Sequence, residues 1–503
     1  MKTTKLTAPL TLVVLLTFVA SCDGFGSSSS SANSSTASAS VYTMKSDYSS
    51  KQIAIFSIND MHGKLDETSA YPGILNLEAA IRNDTHYIEG NTVILSAGDM
   101  WQGGYVSGYD KGKTTTELMN DFPFGAMVLG NHEFDWGFDN IVSNEEVADF
   151  PFLCANLIED ATDSRPEGVE DHVTLDVNGF RLGVVGAIGA SLESSIKASM
   201  IEGFSFSNDL TYIQSAADEC RKEGAQSVVL LIHDDEYSDY VEAIRSDSSL
   251  GISAIFGGHS HRFQLDSSQV PYVQGGSDSK GYSYATIDKE TNGLVSIGNV
   301  DITKENLSFS ASDYDQALKD DLEEAEAKVP VETFNEIEGD WSKKETANFV
   351  TKAMFEMVKD LYPGKDYSEE NLVAVHNISG IRGSFPSSST PMDLTMAEIQ
   401  VVSPFDNQVQ VLTDKHIDFD ELNDYCYSYP ESNALSSTGE YDIVTIDFLV
   451  QSGYSDMFDP GTGYYDISSD PTVPDSSTYI IFNLIADYAA SLPSPIKASD
   501  YNW

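Results

Sequence analysis

Positive charge is what this sequence has least of. Its 503 residues carry 28 Lys and Arg against 79 Asp and Glu, a formal net charge of -51. Such a chain repels phosphate backbones, so a nucleic acid polymer is not an expected partner. The acidity names no function by itself. It describes a heavily solvated, self-repelling surface, as solubility or a salty habitat would favour. Any anionic substrate would need a local source of positive charge. Cysteine is also scarce. Beyond Cys22 there are Cys154, Cys220 and Cys426, an odd number with no CxxC. Cys154 sits in the apolar run "FPFLCANL" and reads as a small core residue. No apolar run is long enough to span a bilayer, the end "ASDYNW" is not a GPI-type tail, and no repeat is visible. At this length, with 41% hydrophobic residues, two folded domains are expected.

The N-terminus is a targeting segment. Lys2 and Lys5 precede the short apolar stretch "LTLVVLLTFVA", which ends in "VASC" at residues 19–22. This resembles a bacterial lipobox, whose Cys is acylated; cleavage nearby as an ordinary signal peptide is the alternative. Residues 1–22 are therefore expected to be a lipoprotein signal peptide, with Cys22 the lipidated residue. The Ser-rich stretch 23–50 has no apolar period and reads as a flexible tether. Export and anchoring to a bacterial cell envelope follow as expectations.

From Lys51 onward one pattern recurs: an apolar, β-type run stops at polar, metal-capable residues. "QIAIFSIND" leads to Asp60 and His62, "NTVILSAGD" to Asp99, and "GAMVLGNHEFD" to Asn131, His132 and Asp135. "AQSVVLLIHDD" gives His233, and "ISAIFGGHSH" gives His259 and His261. Continuous apolar runs are strands buried on both faces. Helical patterns such as "LNLEAAIRND" and "YIQSAADECRKEG" lie between some of them. An α/β domain is expected, its strand ends lining these groups along one edge. Asn178-Gly179 reads as a hairpin turn. The charged stretch "ALKDDLEEAEAKV" reads as a connecting helix. A second domain then opens with the amphipathic "TANFVTKAMFEMVKDLY", contains the β-like runs "NLVAVHN", "NQVQVL" and "YDIVTIDFLV", and closes with a capped helix in "STYIIFNLIADYAASL". The expected division is 51–315 for the first domain, 316–344 for the connector and 345–503 for the second domain.

Each polar residue is unremarkable alone; a lone His at a strand end is usually structural. The set is not. His with carboxylates suits Zn, Mn, Fe or Co better than Mg or Ca. Seven candidate ligands exceed one tetrahedral site and suit two ions sharing a carboxylate. Two cations would also supply the positive charge that the chain lacks.

"NDMHG", "GD", "GNHEFD", the isolated His233 and "GHSH" together resemble, in order, the signature of calcineurin-like metallophosphoesterases. "NISGIRGSF", "VSPFDNQV" and "TIDFLVQSGYSD" are similar to the C-terminal domain of bacterial 5'-nucleotidases, the group that includes UDP-sugar hydrolases and 2',3'-cyclic phosphodiesterases. The resemblance implies a layered β-sandwich with flanking helices, followed by an α/β (α+β) substrate-binding domain. It implies two divalent ions, Zn or Mn, the first on Asp60, His62, Asp99 and His261, the second on Asp99, Asn131, His233 and His259. It makes His132 and Asp135 a catalytic dyad. Glu133 is left as a structural partner for backbone or loop groups. It implies substrate contacts at Arg382, Phe405 and Asn407. The family's second aromatic ring lies in a Gly-rich loop that "SGYSDMF" does not reproduce, so Tyr454 or Phe458 would have to supply it.

The implied function is an exported phosphohydrolase, a monomer, that releases phosphate from nucleotides. A metal-activated water or hydroxide would be the nucleophile, and the His132/Asp135 dyad would stabilise the transition state. The altered loop leaves other substrates open: cyclic nucleotides, UDP-sugars or thiosulfate-type esters. A non-catalytic metal- or nucleotide-binding lipoprotein is the reading from another class, and the intact dyad argues against it.

Overall fold

The computed structural model describes residues 51–503 apart from 69, 305–308, 363, 437, 452–456, 459–463 and 466–478, and apart from the side chains of 464 and 465. The leader, Cys22, the tether and Tyr454 lie outside the described residues. All that is described falls in one unit, Asp47–Trp503.

Every one of the five motif-bearing runs is a strand: Gln52–Ile58, Thr92–Ser96, Phe124–Val128, Ser227–His233 and Ala254–Gly258. They do not share one sheet, as a single edge would require. The first three lie side by side and parallel in a six-stranded sheet, and the last two are parallel neighbours in a second. The reason is visible in their side chains. With a period of two, Ile53, Ile55, Val93, Leu95 and Val128 of the first sheet meet Leu182, Val184, Val229, Leu231 and Phe256 of the second. The intervening residues face outward. Ala54, Phe56, Ile94 and Met127 pack with the helix Gly73–Asn83. Val228, Leu230, Ile232 and Ile255 pack with the helices Thr211–Lys222 and Asp239–Ser246. Both faces of each strand are therefore buried, which is why the runs are continuously apolar. The result is helix, sheet, sheet, helix, and the carboxyl ends of the parallel strands meet at one rim.

The turn at Asn178-Gly179 is as expected: both residues have positive φ, 50° and 80°, and Val177 pairs with Phe180 across it. The charged helix Gln316–Lys328 is more than a tether, for Leu318, Leu322 and Ala325 pack into the first half's core. The strand Thr333–Gly339 already belongs to the second half, pairing with Ser388–Thr395 and Ile496–Lys497.

The second half holds this three-stranded sheet and a five-stranded one, ordered Cys426–Tyr429, Leu372–Asn377, Tyr441–Ile446, Val409–Lys415, Tyr464–Tyr465. The helices Lys343–Leu361 and Ile481–Ser491 complete its core. Two sequence expectations change here. "YDIVTIDFLV" is a strand only to Ile446 and turns helical at Asp447, whose N–H donates to the Gln408 carbonyl while its carboxylate accepts from Gln408 N–H. The helix Ile481–Ser491 has no side-chain cap; Ile481 N–H donates instead to the Asn407 carbonyl at 3.0 Å. Cys154, Cys220 and Cys426 are buried and unbridged.

Candidate functional site

Five of the polar residues at the rim adopt a backbone conformation that only Gly accepts readily: Asp60, His62, Asp99, His259 and His261 have φ of 49°, 52°, 56°, 88° and 61°. Each such residue costs about 1–3 kcal/mol, and such strain persists only where the surroundings enforce it. Here the sandwich does so, because each fully buried Leu, Ile, Val or Phe contributes about 1.5–3 kcal/mol. Strain of this kind tends to cluster at functional sites. Close approach adds to it: a Cβ at Gly130 would lie 2.2 Å from Asp99 Oδ1, so only glycine fits there.

The side chains form three overlapping groups whose donor atoms lie within 4.8 Å of one another: Asp60, His62 and His261; His62, Asp99 and His132; Asp99, His233 and His259. His62 links the first pair of groups and Asp99 the second. Two of the imidazoles are aimed by their far nitrogens. His62 Nδ1 faces the Gln102 carbonyl at 2.9 Å, so its Nε2 carries the lone pair, 2.9 Å from His261 Nε2. His233 Nδ1 faces the Ala97 carbonyl at 2.7 Å, across the two sheets, so its Nε2 turns to Asp99 Oδ2 (3.2 Å) and Asn131 Oδ1 (3.3 Å). His259 Nδ1 lies 3.1 Å from the same Asn131 oxygen. Electron pairs thus converge on shared points.

Protonation states agree for three of the four imidazoles. Burial, and then the charge of Arg382, hold His62 well below its ordinary pKa. Burial and Arg382 bring His261 down to about 4, and burial and His233 bring His259 down to about 3. Neutral imidazole is the form that ligates a metal. For His233 burial works the other way from the net result: the Asp99 carboxylate overrides it and draws a proton on, up to about 10. The same carboxylate would hold a cation. Residues and chemistry fit a pair of divalent ions.

The supporting shell is built from backbone amides. Glu133 is fully buried, and its carboxylate accepts from the N–H groups of Asp99 (2.8 Å), Met100 (2.8 Å) and Gly130 (2.7 Å). That is the structural role expected of it. Burial pushes its acid up to about 7. Asp60 accepts from His259 N–H at 3.0 and 2.9 Å, and Asp99 Oδ1 from His132 N–H at 2.9 Å.

His132 opens the short helical turn His132–Trp136, Asp135 lies within it, and the two are bonded, Nδ1 to Oδ2, at 2.8 Å. Burial lowers the His132 pKa, but Asp135 and Asp99 more than reverse it, and the imidazole ends above its ordinary value. Both line a cavity of about 570 Å³.

The second half supplies the far wall: Asn377, Arg382, Phe405, Asn407 and Phe448. Arg382 reaches His62 Nε2 at 3.2 Å. Phe458 is not on this wall. It is 4% exposed, packed in the core and bridged to Ile417, so it offers no ring to the cavity. Sequence reasoning missed Phe448, hidden inside a run read as strand. It also missed Trp136, whose Nε1 donates to Asp406 at 2.8 Å, and Lys197, ion-paired to the buried Asp447. Nothing local marked these: Trp136 and Lys197 acquire a role only when the two halves meet.

Residues 53–263 match the model of the calcineurin-like phosphoesterase family. A 5'-nucleotidase of Diplobatis ommata is 28% identical over 225 residues, covering 42% of this chain and 38% of that one. The chain spans about a third to a half of the length of the curated relatives it matches. Among solved structures, a 5'-nucleotidase precursor from Thermus thermophilus superposes with a TM-score of 0.64 at 17% identity, covering 89% of this chain and 99% of that one. The sulfate thiohydrolase SoxB of Thermus thermophilus gives 0.66 at 17%, covering 88% and 96%. Residues 53–263 are thus similar to the calcineurin-like phosphoesterases, 5'-nucleotidases are among the chain's relatives, and the two-domain fold is that of the 5'-nucleotidase structure. That family uses divalent metals, and the three donor groups could hold them.

Proposed function

We propose that the chain is an exported phosphohydrolase that releases phosphate from nucleotides, using two divalent ions, Zn or Mn. The observation that carries this is the convergence of lone pairs around Asp99 beside a hydrogen-bonded His–Asp pair, at one end of a nucleotide-sized cavity. Asp60, His62, Asp99 and His261 would hold one ion, and Asp99, Asn131, His233 and His259 the other. The ions would supply positive charge to the phosphoryl oxygens and acidity to a water. His132 donates from Nε2 to an oxygen on which charge builds, and Asp135 fixes its tautomer and its protonated state. Arg382 is a guanidinium placed for the phosphate, and Phe405 and Phe448 give apolar surface to a base. In a chain of net charge -51, this cavity is where an anion is welcome.

The test is phosphate release by metal-reconstituted protein from nucleoside monophosphates, a cyclic nucleotide, a UDP-sugar and a thiosulfate ester, with elemental analysis. Two ions per chain and turnover of monophosphates are expected. Turnover of the sulfur ester alone would move the chemistry to that substrate, and tight binding without turnover would make the chain a capture protein. Anchoring through Cys22 is part of the same reading: Cys22→Ser should move the protein from the membrane to the soluble fraction.

A further inference from the structure

We propose that Phe405 is a positioning residue for His132: a ring carried by the second half fixes the plane of the proton donor in the first. The inference rests on the reading of His132 as that donor. The bond from Nδ1 to Asp135 holds one point of the imidazole and leaves the ring free to rock about that line, since the torsion to a planar ring is soft. Phe405 removes this freedom. Its ring lies 5.4 Å from the His132 ring at 23°, an offset stack. His62 meets the imidazole edge-on at 5.3 Å and 71°.

The stack is held from both sides of the interface. The Pro404 carbonyl accepts from Gln102 Nε2 at 3.2 Å, and Asp406 accepts from Trp136 Nε1 at 2.8 Å. Trp136 belongs to the same turn as His132 and Asp135. Three consecutive residues, Pro404 to Asp406, are therefore docked on the site, with Phe405 in the middle. The Arg382 guanidinium lies 5.7 Å from the Phe405 ring centre. The ring that the sequence assigns to a base thus also acts where no base is present.

The test uses Phe405→Leu, which keeps bulk without a ring face, and Phe405→Tyr, which keeps the face. Histidine-selective NMR of the full-length protein reads the stack directly; His132→Gln identifies the His132 signal among nine histidines. Wild type and F405Y should share a ring-current-shifted His132 signal, and F405L should lose it. On glycerol phosphate, which has neither base nor ring, kcat should fall roughly 10- to 100-fold in F405L, the scale of a misplaced catalytic group. KM should barely move, and F405Y should restore the rate. An unmoved His132 signal in F405L overturns the proposal, as does an unchanged kcat. A lost rate with the signal kept is a structural effect and overturns it too. If wild type releases phosphate from no ester, the proposed function fails, while the NMR comparison still reports on the stack.

Discussion

The two halves of this chain each have an extensive apolar core but very different densities of chemistry. In the first, nine polar residues at five strand ends fall within one rim, each within a few positions of a turn. In the second, the cavity wall is scattered: Asn377 at the end of one strand and Arg382 after it, Phe405 and Asn407 before another, Phe448 at a helix start. On the proposed function, the difference follows from the task. Fixing cations demands many donors at fixed distances, and a strand end delivers them in short motifs. Holding a leaving group demands apolar surface and one or two polar contacts, which any ordered segment can provide.

The comparison breaks most sharply at Asp99, the residue shared by two donor groups. Asp99→Ala should abolish turnover and metal retention together, removing the several kcal/mol that ion-based charge stabilisation provides. Chelation should reproduce that loss in wild type, and added Zn or Mn should reverse it. Full activity with one ion or none would refute the two-metal reading. His132→Ala comes next, with a rate loss of about 10²–10⁴, the scale of a positioned proton donor. Its metal content should equal wild type. Metal loss would make His132 a ligand instead, which the proximity of His62 and Asp99 also permits.

A third test joins the halves. Lys197 of the first half pairs with Asp447 of the second, a carboxylate 1% exposed. Burial raises the Asp447 acid, and the Lys197 charge opposes this. Lys197→Met should leave that carboxylate uncompensated and cost about 3–5 kcal/mol in unfolding. The double variant with Asp447→Asn should recover most of it. Equal stability of Lys197→Met and wild type would mean that the pair does not join the halves.

How much was legible follows the same division. The alternation of Ile53, Ala54, Ile55 and Phe56 is apolar on both faces, so the run announced a fully buried strand. It did not say which of two sheets the strand joins, because that depends on partners far along the chain. The proposed donor set could be picked out because ligand chemistry calls for His, Asp and Asn in short spacings. Left-handed φ at five of these residues could not, since nothing in their side chains requires it. In the second half the helix start at Asp447 was lost inside an apolar run, because its cue is a pairing with Gln408, 39 residues away.

The smallest expected effect concerns the ring the sequence missed. Phe448 lines the cavity, while Phe458, ten residues on, is packed in the core. If Phe448 meets the base, Phe448→Ala should cost about 1–3 kcal/mol, the range for base–aromatic stacking. That is roughly a 5- to 150-fold loss in kcat/KM. The loss should appear with adenosine and uridine monophosphates alike, since every base has a π-face, and be absent with glycerol phosphate. Phe458→Ala should behave in the opposite way. It opens a core cavity and lowers stability by about 3–5 kcal/mol, with whatever rate loss follows shared equally by all substrates. Measuring both variants on the three substrates, alongside thermal unfolding, separates a ring that reads the leaving group from one that supports the wall behind it. A nucleotide-selective loss at Phe458 and none at Phe448 would reverse the assignment. It would return the second aromatic contact to the stretch where the sequence alone had put it.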